Sequence, residues 1–186
     1  MRIEAEKKLF TRDDLDKMYE AGILDEDERV ELIDGEIVKM SNPGRRHVAC
    51  TNRTNKVFIR AFGDRAIVSI QNPFVLDIYN EPKPDVVVAK PRDDFYESIE
   101  ISAEHALLVV EIADTTLSKD RKRKLPHYAR LAIPEFWIED VKRRLLLVYR
   151  DPVDDNYSTC LTFRLGETVS PLAFPDIIFK VEDLLG

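Results

Sequence analysis

The sequence predicts a mixed α/β fold, with a central β-sheet flanked by helices. The run "ALLVVEI" at 106–112 is almost uninterrupted in apolar residues, as expected for a strand buried on both faces. Other β-rich runs and helical segments follow the order helix, strands, helix, strands, which is typical of this class. With 186 residues, of which 44% are hydrophobic, we expect a single globular domain over 1–186.

The N-terminal part of the chain predicts a helix followed by a β-hairpin. In "FTRDDLDKMYEAG", Thr11 is placed to cap the helix, acidic residues fill the first turn and Gly22 ends it. In "RVELIDGEIVKM", two β-rich runs flank Asp34-Gly35, the dipeptide that accepts the positive φ angles of a type I′ turn. The segment "SNPG" then ends the hairpin.

The middle of the chain predicts a long helix and three short strands. The helix runs from about His47 to Phe62, and its apolar residues are Val48, Val57, Phe58, Ala61 and Phe62. The predicted strands are "AIVSIQ", "FVLDIY" and "DVVVA". A polar, acid-rich loop covers about 91–104.

The C-terminal part continues with a helix and further strands. After "ADTT", a helix is expected from about Leu117 to Leu131. "EFWIED" and "RLLLVYR" predict a hairpin that turns at 140–143, and "YSTCLTFRL" predicts one more strand.

Charge and cysteine content bound the class of protein. The net charge is −7, but basic residues cluster at 44–47, 118–124 and 142–144. Each run alone is typical of a solvated face, so overall charge leaves the partner open. Cys50 and Cys160 form no CxxC pair and are interpreted as free thiols in a reducing compartment. The charged N-terminus is unlike a secretion signal, and no apolar run approaches the ~20 residues of a membrane span, so we expect a cytoplasmic protein without membrane segments.

Two carboxylates stand at the ends of apolar strands. Asp85 opens "DVVVA", and Glu111 lies at the end of "ALLVVEI". If these strands are antiparallel neighbours, both carboxylates lie at one edge of the sheet, where hard oxygen ligands with open positions for water suit Mg²⁺. Taken singly, Asp85 could be a turn residue and Glu111 a solvent-exposed strand end. Taken together, we interpret them as a site.

A lysine on the following helix is the third candidate. At ~100° per residue, Lys124 lies within about 20° of both Leu117 and Leu131, on the core-facing side. An inward lysine needs an anionic partner, and two carboxylates with a phosphate would provide one. Arg121 falls in the same arc and is a candidate phosphate clamp. The helical-wheel argument is weaker for residues after Pro126, because proline usually kinks a helix.

Glu31, in the hairpin, is the fourth candidate. Alternation along the strand places Val30 and Leu32 on one face and Glu31 with Ile33 on the other. An acid beside an apolar neighbour is unusual on a purely solvent-facing strand. Glu31 therefore belongs either to the site or to a half-exposed edge strand.

These segments together resemble the Uma-type endonuclease family, which lies within the PD-(D/E)xK restriction-endonuclease-like superfamily. The resemblance rests on "ELIDGEIVKMS", "PDVVV", "LLVVEIADTT" and "DRKRKLPHYARLAIPEFWIED", in this order over roughly residues 10–150. "PD" alone has little specificity, but the four segments with D-x-x-x-K-x-x-x-Y at 120, 124 and 128 are specific. The resemblance implies a restriction-endonuclease-like core, with a mixed central sheet and flanking helices.

The resemblance also implies roles for individual residues. Asp85 and Glu111 would be metal ligands, Lys124 the catalytic lysine, and Glu31 the upstream acid that such nucleases often place near the site. His47 matches a histidine common at the start of the family's long helix.

The chain departs from the superfamily motif at one position. The motif expects lysine two residues after the glutamate, and that position here is Ala113. Lys124 must therefore reach the site from the next helix. If it does not, the chain is a degenerate nuclease fold without catalysis.

The predicted reaction is Mg²⁺-dependent hydrolysis of phosphodiester bonds in DNA, with Mn²⁺ able to substitute. Asp85, Glu111 and the Ile112 carbonyl would hold the metal. Lys124 would orient the attacking water or stabilise the developing negative charge. The residues assigned to the substrate and its neighbouring phosphates are Arg45, Arg46, His47, Arg121 and Lys122.

Two alternatives remain open at this point. One is a catalytically inactive nuclease-fold module that binds nucleic acid or protein. The other is a metal-dependent phosphohydrolase that acts on small phosphoesters. A homodimer would suit cleavage of both strands, and the apolar run "RLLLVY" offers a surface for it.

Overall fold

A computed structural model describes residues 7–25, 27–114 and 117–186, without the side chains of 117–122. Its helices are α1 (Arg12–Glu20), α2 (Arg45–Phe62), α3 (Leu117–Arg130) and α4 (Val181–Leu185). Its strands are β1 (Val30–Ile33), β2 (Glu36–Lys39), β3 (Ile67–Ile70), β4 (Val86–Ala89), β5 (Ala106–Ala113), β6 (Glu135–Asp140), β7 (Leu145–Val153), β8 (Asn156–Arg164), β9 (Thr168–Val169) and β10 (Phe179–Lys180). The predicted mixed α/β class is confirmed.

The central sheet has six strands in the order β3-β4-β5-β6-β7-β8. β5 and β6 run parallel, and the other neighbouring pairs are antiparallel. Since parallel neighbours need a crossover, α3 connects β5 to β6 across one face of the sheet. β1 and β2 form a separate hairpin, and β9 pairs with β10.

The core lies on both faces of the sheet, as predicted for β5. On one face, α2 and α4 pack against the sheet, and Phe58 of α2 contacts Trp137 of β6 and Phe179 of β10. On the other face, α3 packs over Phe136 through Tyr128. Sheets covered on both sides carry near-continuous apolar strands, which is why "ALLVVEI" predicted this position.

The N-terminal predictions are confirmed in detail. Thr11 Oγ1 accepts a hydrogen bond from the Asp14 backbone at 3.2 Å, and the Asp14 carboxylate accepts one from the Thr11 backbone at 2.9 Å. In the hairpin turn, Asp34 has φ 54° and Gly35 has φ 68°. A Cβ on Gly35 would lie 2.6 Å from Leu9 Cβ, so only glycine fits there.

The predicted strand "FVLDIY" is wrong. Residues 74–79 form only isolated bridges, Val75 with Ser102 and Asp77 with Asn80. The Asp77 carboxylate accepts hydrogen bonds from the Tyr79 backbone at 2.7 Å and the Asn80 side chain at 3.0 Å. This turn bends the segment back before a ladder can form.

The predicted position of the long helix needs two corrections. α2 begins at Arg45, two residues before the expected start. Val48, expected in the apolar face, is 42% exposed, whereas Cys50 and Thr54 are fully buried. These polar residues take the buried side because both donate hydrogen bonds to Glu139 in β6.

No helix in the described part of the chain has both the length and the apolar character needed to cross a membrane.

Candidate active site

A cavity of about 350 Å³ opens at the edge of the sheet where β4 begins and β5 ends. Asp85, Glu111 and Lys124 are among its most buried lining residues, and we call them the floor. The β1–β2 hairpin and the loop 40–44 line another side, together with the start of α2.

Strand register brings the two floor carboxylates together. β4 pairs antiparallel with β5, and Val86 lies opposite Val110. One step further along this register, Asp85 lies across from Glu111. The Ile112 backbone N–H donates a hydrogen bond to Asp85 Oδ2 at 2.8 Å, so β5 also fixes the orientation of that carboxylate.

Asp85 is buried but held in its charged form. His47 Nε2 lies 3.0 Å from Asp85 Oδ2, and Gln71 Nε2 donates to Oδ1 at 2.9 Å. Burial alone would raise the pKa of Asp85, but these contacts and the Ile112 N–H hold the pKa below its ordinary value. An ionised carboxylate is the form that binds metal ions.

Lys124 reaches the floor from α3. Its Nζ lies 2.8 Å from Glu31 Oε1 and 3.0 Å from Glu111 Oε1. Its side chain is only 9% exposed, as the helical wheel predicted. Tyr128, one turn further along α3, donates a hydrogen bond to the same Glu111 oxygen at 3.0 Å.

Glu31 is delivered by the hairpin. Because side chains alternate along β1, Val30 and Leu32 pack into an N-terminal apolar cluster, while Glu31 and Ile33 line the cavity. Glu31 Oε1 also accepts a hydrogen bond from the Lys83 backbone at 2.7 Å. The structure therefore brings Asp85, Glu111, Lys124 and Glu31 together at one cavity, and their catalytic and metal-binding roles stay predictions.

The predicted substrate-binding residues have different positions. His47 lines the cavity in the first turn of α2, with Thr51 Oγ1 3.4 Å from its Nδ1. Arg46 is exposed beside it and is not part of the cavity lining. The Arg121 side chain, like that of Lys122, lies outside the described residues. The roles assigned to these residues stay predictions.

The structure adds cavity residues that sequence reasoning missed. Gln71 holds Asp85 from a backbone with φ 51°, and Arg29 donates to Gln71 Oε1 at 3.4 Å. Arg123 also lines the cavity and binds Glu36 at 3.3 Å. No periodic pattern marks Gln71. The Lys124–Tyr128 spacing did mark the Tyr128 side chain, because residues four apart share a helix face.

The donor set fits a hard cation that keeps water ligands. Among the described residues, no group of three or more His, Cys, Asp or Glu side chains is arranged to hold a metal ion. Asp85 and Glu111 supply two carboxylates, and Mg²⁺ is commonly held by one or two carboxylates with water and substrate phosphate completing its shell. Ile112 presents its N–H to Asp85, and its carbonyl stays a predicted ligand.

The buried charges of the cavity are unbalanced. Within the described residues, its buried charged side chains are Glu31, Asp85, Glu111 and Lys124. Three buried carboxylates therefore accompany one buried amine, while the basic side chains of Arg29, Lys39 and Arg123 line the more exposed parts of the cavity. The arrangement combines a place for a cation with an amine that can face an anionic reaction centre.

Comparisons with known proteins agree with this fold. The family model Uma2, described as "Putative restriction endonuclease", matches residues 12–182. The crystal structure of a "putative nuclease belonging to DUF820" from Anabaena variabilis ATCC 29413 superposes with a TM-score of 0.74 at 19% identity, over 95% of this chain and 97% of that chain. A search of curated proteins found no match.

Proposed function

The chain belongs to the Uma2 family, and on that premise we propose that it is a Mg²⁺-dependent nuclease that hydrolyses phosphodiester bonds in DNA. The family model supports a nuclease through its description as a restriction endonuclease. The DNA substrate is supported by the same description, and the metal by the carboxylates of the cavity.

One observation carries the proposal: a lysine buried between two glutamates beside a charged aspartate. Lys124 contacts Glu31 and Glu111 at 2.8 and 3.0 Å, at the edge where Asp85 is held ionised. Burying an ion pair costs roughly several kcal/mol per ion in desolvation, which the attraction between the ions has to offset. Apolar side chains would pack this position equally well, so packing alone does not explain the ion pair. Metal-assisted hydrolysis of a phosphodiester can use both parts, a cation site and an amine that faces phosphate.

Each residue then has a role. Asp85, Glu111 and the Ile112 carbonyl would hold Mg²⁺, which would supply Lewis acidity and lower the pKa of a bound water. Lys124 stabilises negative charge that develops on the phosphate, and Glu31 holds the Lys124 amine in place. The exposed Arg46 contacts phosphates further along the strand, and Arg121 is assigned the same task. His47 orients Asp85 through its contact with Oδ2.

A cleavage assay tests the proposal. Labelled single-stranded and duplex DNA are incubated with Mg²⁺, Mn²⁺ or EDTA, using the natural chain and the variants Asp85→Asn and Lys124→Met. We expect cleavage with either metal, none with EDTA, and a loss of at least ~100-fold in each variant. Lys56→Ala, an exposed change on α2, is the matched control and should retain activity.

Other outcomes would replace the proposal. Salt-sensitive DNA binding without turnover would support the inactive binding module. Turnover of nucleotides but not of polymers would support a phosphohydrolase of small phosphoesters. Undiminished cleavage in both variants would remove Asp85 and Lys124 from the mechanism. Homodimer formation and a cytoplasmic location stay predictions.

A further inference from the structure

The cavity has a second side whose chemistry the phosphodiester reaction does not use. In the hairpin, Glu31 lies opposite Val38, and Ile33 lies opposite Glu36. These pairs share the face that is turned toward the cavity. The apolar members continue into the next loop, and together they form what we call the apolar wall: Ile33, Val38, Met40 and Pro43.

The apolar wall is accessible to a ligand. Ile33 is buried at its base, while Val38, Met40 and Pro43 are partly exposed to the cavity. A phosphate group is fully charged and gains nothing from aliphatic side chains. A pocket that bound only the phosphate groups of a nucleic acid would therefore be lined by polar and basic groups. The wall fits the flat apolar face of a base or the carbon face of a sugar.

A base in duplex DNA cannot present its face to this wall. Paired bases are stacked, and only their edges are accessible in the grooves. A cavity of about 350 Å³ also lies near the lower end of ligand pockets, which span roughly 300–1,000 Å³. A base that reaches the wall must have left the duplex.

A basic residue links the wall to the floor. Arg29 lies beside Met40 across the hairpin, since its carbonyl accepts the Met40 N–H at 2.8 Å. Its guanidinium donates to Gln71, and Gln71 donates to Asp85. A nucleotide with its base on the apolar wall would thus place its phosphate between the Arg29 guanidinium and the floor.

We propose that the cavity binds one unpaired nucleotide of a DNA strand, with its base on the apolar wall and its phosphate at the floor. This inference rests on the proposed function and names its substrate class. The enzyme would act on single-stranded segments or on nucleotides turned out of a duplex.

Matched probes separate base binding from phosphate binding. An oligothymidylate strand and an all-abasic strand of equal length carry the same charge, and a hairpin duplex offers phosphates without free bases. Anisotropy titrations use Ca²⁺ in place of Mg²⁺ to limit turnover. We expect the natural chain to bind the thymidine strand about tenfold more tightly than the abasic strand, and the duplex no better than the abasic strand.

Variants of the wall should remove this preference. Val38→Asn and Met40→Ser should bring the ratio of the two affinities to about twofold or less, by weakening only the thymidine strand. Two independent variants are used because one of them could misfold, and thermal unfolding of each variant checks the fold. Ile78→Ser, at a position that is 61% exposed and outside the cavity, should leave the ratio unchanged.

The outcomes separate this inference from the proposed function. Equal affinity for the thymidine and abasic strands, or tighter duplex binding, together with metal-dependent cleavage would overturn the unpaired nucleotide and leave the nuclease intact. A preserved preference in both wall variants would overturn the wall. Neither binding nor cleavage of any probe would overturn both proposals.

Discussion

Two buried carboxyl clusters on neighbouring strands of the sheet have opposite chemistry. In the first, which we call the lysine cluster, Lys124 contacts Glu31 and Glu111 at the cavity. In the second, the thiol cluster, fully buried Glu139 of β6 accepts hydrogen bonds from Cys50 Sγ and Thr54 Oγ1, each at 2.9 Å. The first is ionic and lines a cavity, and the second lies inside the core.

The difference shows how neighbours decide the state of a buried acid. Burial raises the pKa of Glu139 to about 7, although hydrogen bonds from Cys50 and Thr54 act to lower it. Because its hydrogen-bond donors are neutral and do not offset burial, the Glu139 carboxylate can take up a proton near neutral pH. In the lysine cluster, the Lys124 amine forms ion pairs with Glu31 and Glu111 instead. These ion pairs lie at the cavity, where the proposed metal and phosphate would meet them.

The largest expected effect comes from breaking the lysine cluster. Lys124→Met leaves Glu31 and Glu111 buried without their shared amine, and we expect unfolding free energy to fall by about 3–5 kcal/mol in urea titrations at pH 7. The triple variant with Glu31→Gln and Glu111→Gln should regain most of this stability and remain inactive. If Lys124→Met were as stable as the natural chain, the Lys124 amine would not offset the cost of burying the Glu31 and Glu111 carboxylates.

The next effect sharpens the contrast through pH. Between about pH 4.5 and 7 the folded chain binds a proton at Glu139 that the unfolded chain has lost, so this group reduces stability as pH rises. Glu139→Gln should remove that loss, changing the pH 5 to pH 8 difference in unfolding free energy by roughly 2–3 kcal/mol.

Urea titrations at the two pH values measure the Glu139 effect. Glu97→Gln, an exposed change, is the control and should leave the difference as it is. An unchanged difference in Glu139→Gln would mean that Glu139 is already ionised in the fold. DNA cleavage should be retained in both variants.

A smaller effect is expected from one hydrogen bond within the lysine cluster. Tyr128→Phe removes the hydroxyl that donates to Glu111 at 3.0 Å, and bonds to charged groups contribute about 1.5–3 kcal/mol. Thr54→Val in the thiol cluster is the counterpart. Thermal or urea unfolding should show a greater loss for Tyr128→Phe, together with weaker Mn²⁺ binding that Thr54→Val lacks. Equal Mn²⁺ affinities would show that Tyr128 does not position Glu111.

The smallest effect is expected at the tip of the hairpin that carries Glu31. His127 Nε2 lies 3.1 Å from Asp34 Oδ1, but the Asp34 side chain is 59% exposed. Asp34→Asn keeps a residue that tolerates positive φ and should cost less than about 1 kcal/mol. Backbone bonds such as Gly35 N–H to Tyr79 O hold the tip independently. A large loss of cleavage in this variant would show that the ion pair, not the backbone, positions Glu31.

The sequence predicted the lysine cluster because each member lies on a periodic element. Glu111 ends an apolar strand and Lys124 follows from the helical wheel, whereas alternation in the hairpin left Glu31 either at the site or on a half-exposed edge strand, and only the family resemblance placed it near the site. Strand pairing then had one arrangement that joined them, and the observed register has it. Periodicity reports which face a residue takes, and that was sufficient for Lys124.

The thiol cluster could not be predicted in the same way. Cys50 and Thr54 lie on a helix whose apolar pattern pointed to Val48, and nothing in "EFWIED" marks Glu139 as fully buried. Gln71 depends on a positive φ angle and the "FVLDIY" turn on local side-chain bonds. Such features follow from tertiary contacts and local turn chemistry, which override periodicity.

A crystal soaked in Mn²⁺ tests the central claim most directly, because anomalous scattering locates the ion. We predict one peak between Asp85 and Glu111, with Lys124 Nζ at hydrogen-bond distance from Glu111 Oε1, as in the present structure, where the distance is 3.0 Å. A peak elsewhere on the chain, or an empty floor at saturating Mn²⁺, would contradict the assignment of these carboxylates as metal ligands.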